Sequence, residues 1–190
     1  MRTNKNLNCS YTAAEKQTIK QRLTEWCERF FEEENIFPNL DFASWNLDLY
    51  EQSNGLTARL GILIDRDISQ FPEITKNAKI TTGEASEIAT AAKDMVENAL
   101  SDLIFELEDL IEKQLEYRID DGFSCDSIDV RVHTPGNNGS EWSADVEING
   151  LESAKTTEPE YFDAELEFNL IPQSIMTAIA DCADYVRYEY

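Results

Sequence analysis

Residues 128–148 read IDVRVHTPGNNGSEWSADVEI, and the alternation in this stretch decides the fold class. In its first arm Ile128, Val130 and Val132 alternate with Asp129, Arg131 and His133. In its second, Trp142, Ala144, Val146 and Ile148 alternate with Asp145 and Glu147. Successive strand side chains point to opposite faces, so a period of two specifies two half-buried strands, each with one apolar and one charged face. The intervening run from His133 to Gly139 carries Pro135, two glycines and two asparagines, which is turn chemistry. Further on, Phe162, Ala164, Leu166 and Phe168 alternate with Asp163, Glu165 and Glu167, a third strand of the same kind. Pro172 then opens a last helix with Ile175, Ile179, Cys182 and Val186 on one side.

Upstream, Ile88, Ala92, Met95, Ala99, Leu103, Leu107, Leu110 and Ile111 recur at helical spacing in a segment from about Gly83 to Arg118, closed by Asp121-Gly122. That exceeds an ordinary globular helix, so a kink near Asn98 to Ser101 is expected. Residues 81–190 therefore read α-β-β-β-α. Nearer the start, Ile19, Leu23, Trp26, Cys27, Phe30 and Phe31 mark an amphipathic helix within Tyr11 to Glu34 that stops at Asn35 to Pro38. Trp45, Leu47 and Leu49 pair with the run Leu56 to Asp65 across a link containing Asn54-Gly55, a β-hairpin. The polar segment Ser69 to Thr82, with Pro72, reads as a connection and sets a division into 1–80, a helix plus hairpin, and 81–190. The fold class is α+β, with antiparallel sheet or sheets covered by helices on one face. Two αββ-type halves and one continuous domain are the alternatives within it.

The chain has 190 residues, 42% hydrophobic and 10% aromatic, enough for a folded core and too apolar for a disordered polyanion. Its 38 acidic residues against 16 basic give a net charge of −22, which opposes direct binding to nucleic acid or anionic membranes. No leader-like apolar region follows Met1, and nowhere do 18 apolar residues run together, so the expected compartment is the cytoplasm, the host's if the chain is phage-encoded. Cys9, Cys27, Cys125 and Cys182 include no C-x-x-C pair and accompany a single histidine, the pattern of reduced thiols rather than a zinc site.

The charge is unevenly placed. Residues 1–80 hold 12 acids and 10 bases, whereas residues 81–190 hold 26 acids and 6 bases. On the three later strands the polar face carries Asp129, Arg131, Asp145, Glu147, Asp163, Glu165 and Glu167, six of seven acidic. Neighbouring strands stand about 4.8 Å apart, so these carboxylates repel one another, and selection for stability alone would alternate their signs. A second acidic row follows the long helix through Glu97, Asp102, Glu106, Asp109, Glu112 and Glu116. A 110-residue domain spans roughly 34 Å, a length over which duplex DNA carries about 20 phosphate charges. In charge pattern only, the second part resembles the DNA-mimic inhibitors that phages and mobile elements use against restriction or CRISPR enzymes. That resemblance implies a non-enzymatic protein that binds the basic groove of a nucleic-acid-processing enzyme.

Catalytic and cofactor motifs are missing. No phosphate-binding glycine loop, nucleophile elbow or H-E-x-x-H occurs, so neither a catalytic residue nor a cofactor is assigned. Among 38 acids, carboxylate pairs arise by chance, and the cluster Asp120, Asp121, Asp126 and Asp129 lacks EF-hand spacing, so no metal is assigned. His133 reads as a solvent-facing strand-end residue. The partner-binding candidates are the acids named above on the strands and the long helix, and the expected partner is a basic nucleic-acid-binding protein. Two rivals remain: an immunity or antitoxin-like protein that neutralises a basic toxin, and an acidic structural or adaptor protein. The near-neutral first part, with Trp45 and Tyr50, would suit a homodimer contact, and Tyr185, Tyr188 and Tyr190 an exposed anchor.

Overall fold

The computed structural model describes residues 11–32, 44–53, 55–63, 73–119, 123–135, 141–153, 158–170 and 172–189. Among these, three helices and two antiparallel sheets form an α+β fold with helices packing on sheets. The described residues fall into two compact units, 11–101 and 102–189.

The first unit begins with α1 (Ala13–Glu32). Its N-terminus is a capping box: the Glu15 N–H donates to Thr12 Oγ1 (3.2 Å) and the Thr12 N–H donates to Glu15 Oε2 (2.7 Å). The Thr12 N–H and the Thr12 hydroxyl, which also donates to Glu15 Oε2 (2.7 Å), pull the exposed Glu15 carboxyl below its ordinary pKa. Ile19, Leu23, Cys27 and Phe30 form the buried stripe of α1, and burial pushes the Cys27 thiol up to about 12. The sheet comprises β1 (Ser44–Gln52), β2 (Gly55–Leu63) and β3 (Ile74–Ile80) in the order β1-β2-β3. Central β2 is almost wholly buried, as expected of a strand paired on both edges. Lys16 and Lys20 of α1 reach Glu51 (2.5 Å) and Asp48 (3.3 Å) of β1.

Strand β3 corrects the sequence reading, which took Ser69–Thr82 as a connection. Of its inward set only Ile74 and Ile80 are strongly apolar and fully buried, so the alternation is too weak to stand out. The first unit therefore holds three strands where an αββ half would have two. Trp45 is half-buried with its ring 5.3 Å from that of Phe31, which leaves Tyr50 as the exposed aromatic of β1.

Helix α2 (Ala85–Ile119) is one continuous helical element of 35 residues. Its first half belongs to the first unit and its second half to the other, with the division between Ser101 and Asp102. The shift in charge at 81 therefore does not coincide with a shift in packing: Ile88, Ala92, Met95 and Ala99 are buried in the first unit.

Glu87 in the first turn of α2 accepts hydrogen bonds from the backbone N–H groups of Thr81, Thr82 and Gly83 (2.8–2.9 Å) and from both threonine hydroxyls (2.6 and 2.8 Å). Burial alone would raise its pKa, but the threonine bonds outweigh that and bring it down to about 2. A depressed carboxyl stabilises the fold above its unfolded value near 4.5, and the contribution is lost as the pH falls from there towards 2. We expect Glu87→Gln to cost ~1–2 kcal/mol at pH 7. In urea titrations the deficit should shrink on acidification through that window; a constant deficit would refute the assignment.

The second unit holds the rest of α2, then β4 (Phe123–Ser124), β5 (Ser127–His133), β6 (Trp142–Ser153), β7 (Glu160–Phe168) and α3 (Pro172–Glu189). β6 is central, with β7 on one edge and β5 on the other; β4 pairs with its far end. The inward set Ile128, Val132, Trp142, Ala144, Val146, Ile148, Phe162, Leu166 and Phe168 is buried, matching the alternation read from the sequence. α3 packs on β7, where the Tyr185 ring lies 5.9 Å from that of Phe162; Ile175, Ile179 and Val186 are buried, and burial lifts the Cys182 thiol to about 11.

Candidate functional site

The strand register converts the charged alternation into rungs. Asp129 of β5 stands opposite Glu147 of β6, which stands opposite Asp163 of β7. The next rung is Arg131, Asp145 and Glu165, and the one after is His133, Ser143 and Glu167. Every charged member is exposed. One rung is all carboxylate, and in the second Arg131 is the single base. His133 Nε2 lies 2.9 Å from Asp145 Oδ2, a diagonal pair between adjacent rungs, and stays exposed as expected. Tyr161 continues this face on β7; burial first, then the charges of Glu147 and Asp163, raise its hydroxyl pKa.

The acidic face continues into a groove of about 730 Å³ between the second half of α2 and strands β5 and β6. From α2 come Phe105, Glu108, Asp109, Glu112 and Glu116; from the strand side come Asp126, Asp129, Arg131, Asp145 and Glu147. A helix turns about 100° per residue, so positions 105, 108, 109, 112 and 116 share one stripe, beside the buried stripe of Leu107, Ile111 and Leu115. The lining thus carries eight carboxylates against one guanidinium, with a 66% exposed Phe105 among them. Asp109 is paired with Lys113 (2.7 Å), which raises the lysine's pKa.

Three details fix the groove's strand wall. Glu108 Oε1 accepts the Val132 backbone N–H at 3.0 Å. Ser127 Oγ donates to Asp129 Oδ2 (3.0 Å), and Asn149 Nδ2 donates to Ser127 Oγ (3.2 Å) and, more weakly, to the same carboxylate (3.4 Å). The Asp126 N–H donates to the Asn149 carbonyl (2.8 Å), and its side chain covers Gly150, where β6 bulges at φ +65°. Cys125 also lines the groove, but burial, with Glu116 and Asp126 nearby, raises its thiol pKa, which keeps it protonated and a poor nucleophile.

Of the acids proposed from sequence, Asp109, Glu112, Glu116, Asp129, Asp145 and Glu147 come together in the groove. Asp163, Glu165 and Glu167 extend the same sheet face on β7. Glu97 is not part of this site: it lies in the first unit, 3.5 Å from Lys93. Asp102 and Glu106 lie on α2 outside the groove lining: Asp102 precedes Phe105, the first lining residue, and Glu106 is turned roughly 100° from the centre of its stripe. Glu108 is not among the acids singled out from sequence, and Asp126 appears there only in the cluster set aside as a metal site. The first was legible as the i−4 neighbour of Glu112; the second depends on the bulge. Asp120 and Asp121 lie outside the described residues, and among those described no group of three or more His, Cys, Asp or Glu residues is arranged to hold a metal ion. No helix is long and apolar enough to cross a membrane among the described residues. Neither a protein-family profile nor a curated protein matches this chain.

Proposed function

We propose that this chain is a non-enzymatic inhibitor whose second unit competes with nucleic acid for the basic groove of a nucleic-acid-processing enzyme, in the manner of anti-restriction or anti-CRISPR proteins. The observation that carries the reading is the uncompensated rung Asp129, Glu147 and Asp163, continuous with a groove of eight carboxylates. Like charges directly opposite on adjacent strands destabilise a sheet, so their retention fits a surface kept for a cationic partner. Residues 102–190 hold 22 acids against 5 bases, so the excess belongs almost wholly to this unit. Inhibition would be steric and electrostatic, and no bond is made or broken.

The test is capture. The immobilised chain is exposed to nuclease-treated bacterial lysate at low salt, then washed with duplex DNA or with a salt step. Rim and groove charges are screened within about 8 Å at physiological ionic strength, so we expect a basic nucleic-acid enzyme to elute with either wash. A partner that resists both and depends on apolar anchors would replace this reading with the adaptor one; a single toxin as partner would replace it with the immunity one.

A further inference from the structure

The outer edge of β5 is an open hydrogen-bonding edge. Among the described residues no strand pairs with β5 on the side away from β6. In an antiparallel pair, alternate residues direct both N–H and C=O to the partner strand, and those between direct both outward. The Val132 N–H goes to Glu108 on α2, so Val132 belongs to the outward set, and with it Val130 and Ile128. The N–H and C=O of Ile128 and Val130 therefore face the groove, and Glu108 closes the edge at its Val132 end.

Resting on the inhibitor reading above, we propose that the partner is engaged by β-strand addition: an extended basic segment pairs antiparallel or parallel with β5 at Ile128 and Val130. Main-chain bonds would supply the docking, and alternate side chains the specificity. On the sheet's outer face, a partner lysine or arginine beside Asp129 meets the rung continued by Glu147, whereas one beside Arg131 is repelled. On the other face, next to the half-buried Val130, a long basic side chain lays its stem along Phe105 and its head among Glu108 and Glu112. The preferred segment thus has bases at the two adjacent positions beside Asp129 and Val130 and none beside Arg131, a pattern that charge alone would not impose.

The test uses the full chain with two blocked octapeptides of threonine and valine carrying one central Lys-Lys pair, one ordinary and one N-methylated at every peptide nitrogen. The second keeps the charge and loses the edge donors. On the protein side, Val130→Pro deletes an N–H that takes no part in the β5–β6 ladder, which an edge strand tolerates. At saturating ordinary peptide, amide exchange at Ile128 and Val130 should slow at least tenfold. N-methylation and Val130→Pro should each weaken binding at least tenfold. Equal binding of both peptides, with no protection of those amides, would overturn strand addition and leave the acidic reading standing. Failure of both peptides to bind at low salt would remove both.

Discussion

Glu147→Lys is expected to weaken partner binding while making the fold more stable. Glu147 is the centre of the rung Asp129–Glu147–Asp163, with a carboxylate directly opposite on each side. Reversal turns two repulsive cross-strand pairs into attractive ones, each of order 0.2–1 kcal/mol. We therefore expect a rise of about 0.5–1 kcal/mol in urea at low salt, shrinking in concentrated salt as the charges are screened. The same change places a cation in the wall of the acidic groove. Extending it to Asp145, Glu147, Glu165 and Glu167, all to lysine, should reduce affinity for the captured enzyme on the order of 100-fold, since like-charge contacts across an interface cost several kcal/mol. The quadruple variant gains less stability than the single one, because Arg131, position 145 and position 165 then form an all-positive rung. A purely solvated acidic surface predicts the stability gain with unchanged binding. Opposite signs in one variant are what a surface held against its own stability for a ligand would show.

Most of the second sheet was legible because its strands are half-buried, and one-sided burial writes a period of two into the sequence. Ile128 to Val132, Trp142 to Ile148 and Phe162 to Phe168 all place their apolar residues inward as read. Strand β3 escaped for the reverse reason: between Ile74 and Ile80 its inward positions are Lys76 and Ala78, so burial leaves little pattern. The continuity of α2 across two units was not readable either. Its apolar stripe continues from Ile88 to Ile119 whichever core it enters, and nothing local marks the change at Ser101. At the site, the acidic face followed from alternation alone. The groove did not, because its helix wall depends on which side of α2 meets the β5 edge. Glu108 shows the gap: its carboxylate differs from its neighbours only through the Val132 N–H that it accepts, a contact between positions 24 apart.

Gly150→Ala is expected to be the most destabilising single-methyl change in the second unit. Between the pairs Ile148↔Phe162 and Leu151↔Glu160 the register slips by one, so Asn149 and Gly150 together oppose Tyr161, a β-bulge. Gly150 sits at φ +65°, a conformation that costs an L-residue roughly 1–2 kcal/mol. An added methyl would also land on the Asp126 side chain, 2.9 Å from its Cβ and closer still to its carboxylate. Overpacking of that kind costs about 1–3 kcal/mol, so the total should be ~2–5 kcal/mol, read as a fall in urea midpoint at unchanged slope. The two costs separate in a double-mutant cycle. Asp126→Gly deletes the steric partner, so in the double variant only the backbone cost remains, and at least 1 kcal/mol of coupling is expected. Additive effects would mean that Asp126 moves aside freely, and a loss below about 0.5 kcal/mol would contradict the bulge itself. The consequence reaches the groove, because the Asp126 N–H is bonded to the Asn149 carbonyl within the same bulge. A displaced Asp126 shifts the end of β5 at which the open edge begins, so Gly150→Ala should also weaken octapeptide binding, whereas Asp126→Gly, which keeps the backbone bond, should reduce it only by the loss of one charge.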